Sequence, residues 1–110
     1  MPAQIVDLFC GIGGLTRGLI NSGLNVIAGF DIDPTCQYTY EHNNEVEYHL
    51  QNIREVNGEE IVDLYDDDAT RILVGCAPWH LVNLFHKCDL NWVTGITTMK
   101  NTICFYSMAG

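Results

Sequence analysis

The sequence predicts an α/β fold, a parallel sheet with helices on its faces. Three observations carry that expectation. Short apolar runs at 4–9, 25–30 and 71–75 have the character of strands covered on both sides. Segments with helix start and stop signals separate the early runs. Their alternation requires crossover connections, which are right-handed in parallel sheets.

Taken in order, the first strand spans Gln4 to Phe9 and opens onto Gly11, Gly13 and Gly14. A helix follows from Leu15 to Asn21, with Leu15, Leu19 and Ile20 on one side and Gly23 as its C-cap. Asn25 to Phe30 forms the second strand and ends in Asp31-Ile32-Asp33. Asp33 can cap the next helix and Pro34 suits its first position. That helix runs to about His42, and Asn43-Asn44 ends it. Glu47 to Leu50 is a short third strand, followed by a loop over Gln51 to Val56. Asn57-Gly58-Glu59-Glu60-Ile61 reads as a capped helix start with acids in the first turn. Asp66-Asp67-Asp68 reads as a solvated acidic turn, without metal-cluster spacing, and Arg71 to Gly75 is the fourth strand. After Pro78 the charged residues thin to Lys87, Asp89 and Lys100, and no period survives. Asn91 to Thr98 has strand propensity but no obvious partner.

A chain of 110 residues suffices for one small domain with a modest core. Its net charge of −9 argues against strong DNA binding by this chain alone, since phosphate neutralisation supplies much of such affinity. The five cysteines, Cys10, Cys36, Cys76, Cys88 and Cys104, are odd in number and form no C-x-x-C pair. They read as reduced thiols of a cytoplasmic protein, not a disulfide framework or a zinc site. His42, His49, His80 and His86 have no metal-ligand spacing. Met1-Pro2-Ala3-Gln4 lacks the basic start of a signal peptide, and no apolar run reaches membrane-spanning length.

The richest stretch is Ile5 to Leu15. Three close glycines let backbone approach a ligand, and the helix behind them offers free N–H groups. Asp31 stands about 20 residues on, where a carboxylate can accept bonds from both hydroxyls of a ribose. The glycines run G-x-G-G rather than G-x-G-x-x-G, which disfavours a dinucleotide-binding oxidoreductase module.

Asp7-Leu8-Phe9-Cys10-Gly11-Ile12-Gly13-Gly14 resembles the first signature motif of the DNA cytosine-5 methyltransferases. Leu73-Val74-Gly75-Cys76-Ala77-Pro78 resembles the start of their catalytic motif, Gly-Cys-Ala-Pro-Cys-Gln. The resemblance covers about residues 4–78 and implies the first part of a Rossmann-like class I methyltransferase domain. It implies S-adenosylmethionine as cofactor, DNA cytosine as substrate and a restriction–modification or host-methylation setting. The residues it implies at the cofactor are Asp7, Phe9, Cys10, Gly11, Gly13, Gly14, Leu15, Asp31, Ile32, Asn52 and Ile53. Main-chain groups of the glycine loop would touch the methionine part, and Asp31 the ribose. Ile32 would lie against the adenine. Phe9 would pack near the adenine or serve as a core aromatic. Asn52 stands where the family has an Asp that accepts from the adenine amino group; a solvated loop Asn is the other reading.

The departure comes at Trp79, where the family has its cysteine nucleophile. In the family that thiolate attacks C6 of a flipped cytosine, which makes C5 nucleophilic enough to take the methyl group. Trp cannot form that bond. Cys76 is three positions early and reads as a small buried hydrophobe. The resemblance therefore implies no catalytic residue here, and this chain is expected to be inactive. A non-catalytic cofactor-binding fragment, or one subunit of a split enzyme, is the alternative.

Residues 79–110 read as an out-of-frame tail. Trp79 to His86 can be written TGG CAC CTT GTC AAC CTT TTT CAC. Starting from the last base of the Trp codon, the message becomes Ala-Pro-Cys-Gln-Pro-Phe-Ser, which continues the catalytic motif. A tandem duplication of GCACCTTG would produce both the shift and the repeated Ala-Pro.

Overall fold

The computed structural model describes residues 2–78 and 102–109, with side chains through Gly75. Trp79 and the stretch from Asn91 to Thr98 lie outside the described residues. Among the described residues, five strands form one sheet: β1 (Ala3–Leu8), β2 (Asn25–Asp31), β3 (Glu47–Leu50), β4 (Thr70–Pro78) and β5 (Thr102–Ala109). Their spatial order is β3-β2-β1-β4-β5, and every neighbouring pair is parallel.

β1 is central and buried almost throughout, which suits its apolar residues, while its two polar ones, Gln4 and Asp7, are buried with hydrogen-bond partners. Alternation sends its side chains to opposite faces. Val6 and Leu8 join Phe30, Ile53, Val56, Ile61, Tyr65 and Leu73 in one core, which includes residues of α3 (Gly58–Val62) and the loop before it. Ile5 joins Val26, Tyr40, Val46, Tyr48 and Val74 on the other face, with Leu19 and Ile20 of α1 (Gly14–Asn21) packed against it. Asp7 shares that second parity, so its carboxyl is carried under α1 and α2 (Gln37–Asn44).

The helix expected from Pro34 to His42 is divided. Pro34–Cys36 is a 3₁₀ turn, and α2 follows it. Asp33 explains the tight turn: its carboxylate accepts from the Thr35 N–H at 2.9 Å and from the Thr35 hydroxyl at 2.7 Å. α2 then runs to Asn44 and ends on Glu45 in the left-handed region. α3 begins as expected, with Asn57 accepting from the Glu59 N–H and acids at Glu59 and Glu60.

At the far side, β4 continues to Pro78 and is flanked by β5. The strand at 102–109 falls where the sequence suggests no element. Its β-branched and aromatic residues suit a strand, but the run lacks the alternation that marks one. Among the described residues no helix is long and apolar enough to cross a membrane.

Candidate functional site

Reversal of strand order between β1 and β4 creates a crevice beyond the carboxyl ends of the strands. The segment from Phe9 to Gly13 lies there, between β1 and α1. Phe9 (φ 56°), Gly11 (φ 53°) and Gly13 (φ 97°) all adopt left-handed backbone. Three bonds fix the turn. Cys10 donates its N–H to the Phe30 carbonyl at 3.1 Å, and Gly13 donates to the Cys10 carbonyl at 2.9 Å. Gly11 donates to the Asp31 carboxylate at 2.8 Å.

The glycines have different reasons to be glycine. A Cβ on Gly13 would collide with the Asn44 amide and lie 2.7 Å from the Tyr40 ring. A Cβ on Gly11 or Gly14 would meet nothing within 4 Å. The loop is therefore packed from below at Gly13 and open at Gly11 and Gly14. The first rung of α1 runs from the Arg17 N–H to the Gly13 carbonyl at 2.8 Å. The N–H groups of Gly14, Leu15 and Thr16 precede that rung, where an α-helix has no carbonyl for them.

Asp31 holds the loop to β2. One oxygen accepts from Gly11, and the other accepts from the Ile32 N–H at 2.7 Å. Each oxygen of an ionised carboxylate has two lone pairs, so both can accept again. Ile12 and Ile32, at 63% and 62% exposure, present apolar side chains to solvent in these loops, as Leu15 and Leu50 do to a lesser degree.

Beneath the loop lies a buried polar chain. Asp7 accepts from the Thr16 hydroxyl at 2.7 Å, and Thr16 in turn meets the Tyr40 hydroxyl at 2.9 Å. All three residues are essentially inaccessible. Burial is the main reason the Asp7 pKa rises from 3.8 to about 6; the Thr16 bond opposes the rise and the nearby Asp31 charge adds to it. Asp7 is thus enclosed beneath the loop with its carboxyl bonded to Thr16. Burial, with the Asp7 and Asp31 charges nearby, pushes the Cys10 thiol well up, so it is an inert core thiol.

The third segment carries Asn52 and Ile53. Ile53 is buried in the core with Val56 and Ile61, which leaves only its backbone to meet a ligand. Asn52 is exposed, and its side-chain oxygen accepts from the Arg54 N–H at 3.0 Å. That Asx turn uses one lone pair of the oxygen expected to face an adenine amino group and leaves the other. Phe9 is half-buried and packs against the core containing Leu8. The structure thus brings together the glycine loop, Asp31 and Ile32, and turns Asp7, Cys10 and Ile53 inward.

Leu50, Gln51, Asn52, Glu55, Val56 and Glu60 line a surface pocket of about 330 Å³. Leu50 and Glu55 are lining residues that sequence reasoning missed. Its place at the last position of β3, directly before the loop that carries Asn52, was the available signal at Leu50. Among the described residues no group of His, Cys, Asp and Glu is arranged to hold a metal.

Comparison with known proteins places these features in context. Residues 3–79 match the family described as C-5 cytosine-specific DNA methylase. The Type II methylase M.HgiDII of Herpetosiphon aurantiacus is 51% identical over 78 residues, which cover 71% of this chain and 22% of that protein. The Type II methyltransferase M.FnuDI of Fusobacterium nucleatum is 34% identical over 58 residues, covering 53% of this chain and 17% of that one. The chain thus spans about a fifth of the length of these curated relatives. Among solved structures, a putative DNA modification methyltransferase encoded within an E. coli prophage superposes with a TM-score of 0.59 at 24% identity, over 69% of this chain and 22% of that chain. The Entamoeba histolytica methyltransferase EhMeth superposes with a TM-score of 0.62 at 20% identity, over 99% of this chain and 38% of that one. These two likenesses show the fold.

Proposed function

Because this chain belongs to the family of C-5 cytosine-specific DNA methylases, we propose that it carries the S-adenosylmethionine-binding part of such an enzyme and does not itself complete methyl transfer. The observation that carries the reading is the bond from the Gly11 N–H to the Asp31 carboxylate, which joins the glycine loop to the acid at the end of β2. The residues suit the parts of the cofactor. Asp31 retains acceptor capacity for ribose hydroxyls. The exposed Ile12 and Ile32 offer apolar surface to a base. The leading N–H groups of α1 suit a carboxylate. When bound, S-adenosylmethionine supplies the methyl group.

Methylation of cytosine at C5 in DNA is the reaction we assign to the whole enzyme. Trp79 stands at the position of the nucleophile and has no thiolate to offer, so this chain should bind cofactor without turnover. With a net charge of −9 it contributes little affinity for DNA phosphates. We further propose that residues 79–110 are translated out of frame. Sequencing the coding DNA from Arg71 onward checks this: a tandem GCACCTTG supports it, and codons at Trp79 to His86 that cannot spell Pro-Cys-Gln in another frame overturn it.

The cofactor reading is tested by calorimetric titration of the chain with S-adenosylmethionine and, separately, with NAD. Saturable binding of S-adenosylmethionine, weakened about tenfold or more in Asp31→Ala, is expected from the loss of charge-assisted bonds. Tighter binding of NAD, or an unchanged affinity in Asp31→Ala, refutes it.

A further inference from the structure

We infer that Thr16 and Tyr40 are positioning residues, which hold the glycine loop in its ligand-ready shape through a hydrogen-bonded chain that ends on Asp7. The inference rests on the reading of this loop as the cofactor site. Its basis is geometric. Asp7 lies in β1 just before the loop, and Thr16 lies in the first turn of α1 just after it. The 2.7 Å bond between them therefore ties the two ends of the loop together. Tyr40 extends the tie to α2 through its hydroxyl at 2.9 Å. Asp7 ionised is acceptor-only, so the Thr16 hydroxyl donates to it and the Tyr40 hydroxyl donates to Thr16.

The Tyr40 ring also fills space that two glycines leave. A Cβ on Gly13 would stand 2.7 Å from its Cδ2, and one on Gly29 would stand 2.5 Å from its Cζ, with the Cys10 sulfur 2.9 Å away. One side chain thus supports the loop, the middle of β2 and the α1 start together. Such support is needed because Phe9 holds a left-handed conformation that a side chain disfavours. Strain of this kind persists only where the surroundings over-determine it. Below the loop, the titratable groups around the hydrogen-bonded chain include Asp7, Cys10, Asp31, Tyr40 itself and Tyr48, whose ring packs against Tyr40.

Amide hydrogen exchange on the full chain without cofactor tests the inference, using Thr16→Val, Thr16→Ser and Tyr40→Phe. Thr16→Val and Tyr40→Phe should speed exchange at Gly11 and Gly13 by about tenfold or more, while Val6 and Ala28 in the strands keep their protection. Thr16→Ser restores the hydroxyl and should stay near the parent rates. Unchanged rates at Gly11 and Gly13, or an equal increase in loop and strands, overturns the inference. The equal increase would mark a purely structural role. Tyr40→Phe preserves ring volume and decides between these outcomes should Thr16→Val not fold. Titration with S-adenosylmethionine is run in parallel. Absence of binding to the parent chain defeats the cofactor reading, whereas the exchange rates test the positioning role separately.

Discussion

Replacing Asp7 by Asn removes a buried charge while keeping an oxygen that can accept from Thr16. The carboxyl pKa rises from 3.8 to about 6 in the fold, chiefly because the group is buried. An acid with a raised folded pKa is more protonated in the folded state than in the unfolded state between those values. Stability therefore falls as pH rises through that window, and is flat above it. The full interval corresponds to about 3 kcal/mol, and about 2 kcal/mol of it lies between about pH 4.5 and pH 7.5. Asp33 works with the opposite sign, since its bonds to Thr35 lower its pKa. Its contribution is present above 3.8 and lost as pH falls below, outside this window. The general repulsion from a net charge of −9 also weakens the fold as pH rises, so the parent alone is not decisive. The difference between parent and Asp7→Asn is. Urea unfolding at the two pH values should show Asp7→Asn gaining about 2 kcal/mol relative to the parent on going to the higher pH. The new amide N–H pair lowers the stability of Asp7→Asn by a similar amount at both pH values and cancels. Parallel pH profiles, differing by less than about 0.5 kcal/mol, would refute the claim that Asp7 is desolvated beneath the loop.

Four other substitutions probe the site. Gly13→Ala places a Cβ against the Tyr40 ring at φ 97° and should cost about 2–4 kcal/mol in urea unfolding, whereas Gly14→Ala, with nothing near its Cβ, should leave stability unchanged or raise it by up to about 1 kcal/mol. Ile32→Ser, at a largely exposed position, should shift stability by less than about 0.5 kcal/mol yet weaken S-adenosylmethionine binding about three- to tenfold in calorimetry. Asn52→Asp preserves the acceptor for the Arg54 N–H and adds a charge; it should tighten that binding about three- to tenfold, and an unchanged affinity would make Asn52 a loop-turn residue only.

How much of the fold and site is legible in the sequence depends on how local the signal is. β3 (Glu47–Leu50) and the Asn57 cap follow from neighbouring residues alone, and they stand where the sequence puts them. The division of the second helix turns on Asp33 binding Thr35 twice, a choice between two turn geometries that Pro34 permits equally. Loop residues Gly11 and Gly14 declare themselves by spacing, but the need for glycine at Gly13 comes from Tyr40, which lies 27 residues further along. Asp7 illustrates the limit most directly. A motif marks it as part of the site, and only parity along β1 reveals that its carboxyl points under the helices toward Thr16. Ile53 is similarly ambiguous, because an apolar residue in a loop motif serves a ligand or a core equally well until packing is known.

Phe9 shows how the chain changes from scaffold to site. If β1 continued in extended form, alternation would put Phe9 on the face of Ile5 and Asp7. Instead its φ of 56° turns it to pack with the core on the Leu8 side, and Cys10 takes the place against Tyr40 and Val26. A left-handed non-glycine residue costs about 1–2 kcal/mol, so some larger gain must hold it there. Burying part of an aromatic side chain on the α3 face is one source. The Cys10 N–H bond to the Phe30 carbonyl is another, since it keeps a backbone donor paired as the strand ends. With Cys10 drawn inward, Gly11 lies outward, its N–H on Asp31 and its Cα facing open space. The same backbone reversal that closes the core below therefore creates the open surface above. A smaller side chain at position 9 would weaken the packing that supports the reversal, so Phe9→Ala should increase exchange at the Gly11 amide more than at Val6. Equal exchange at both amides would mean that the bonds of Cys10 and Gly13 hold the turn without the aromatic ring.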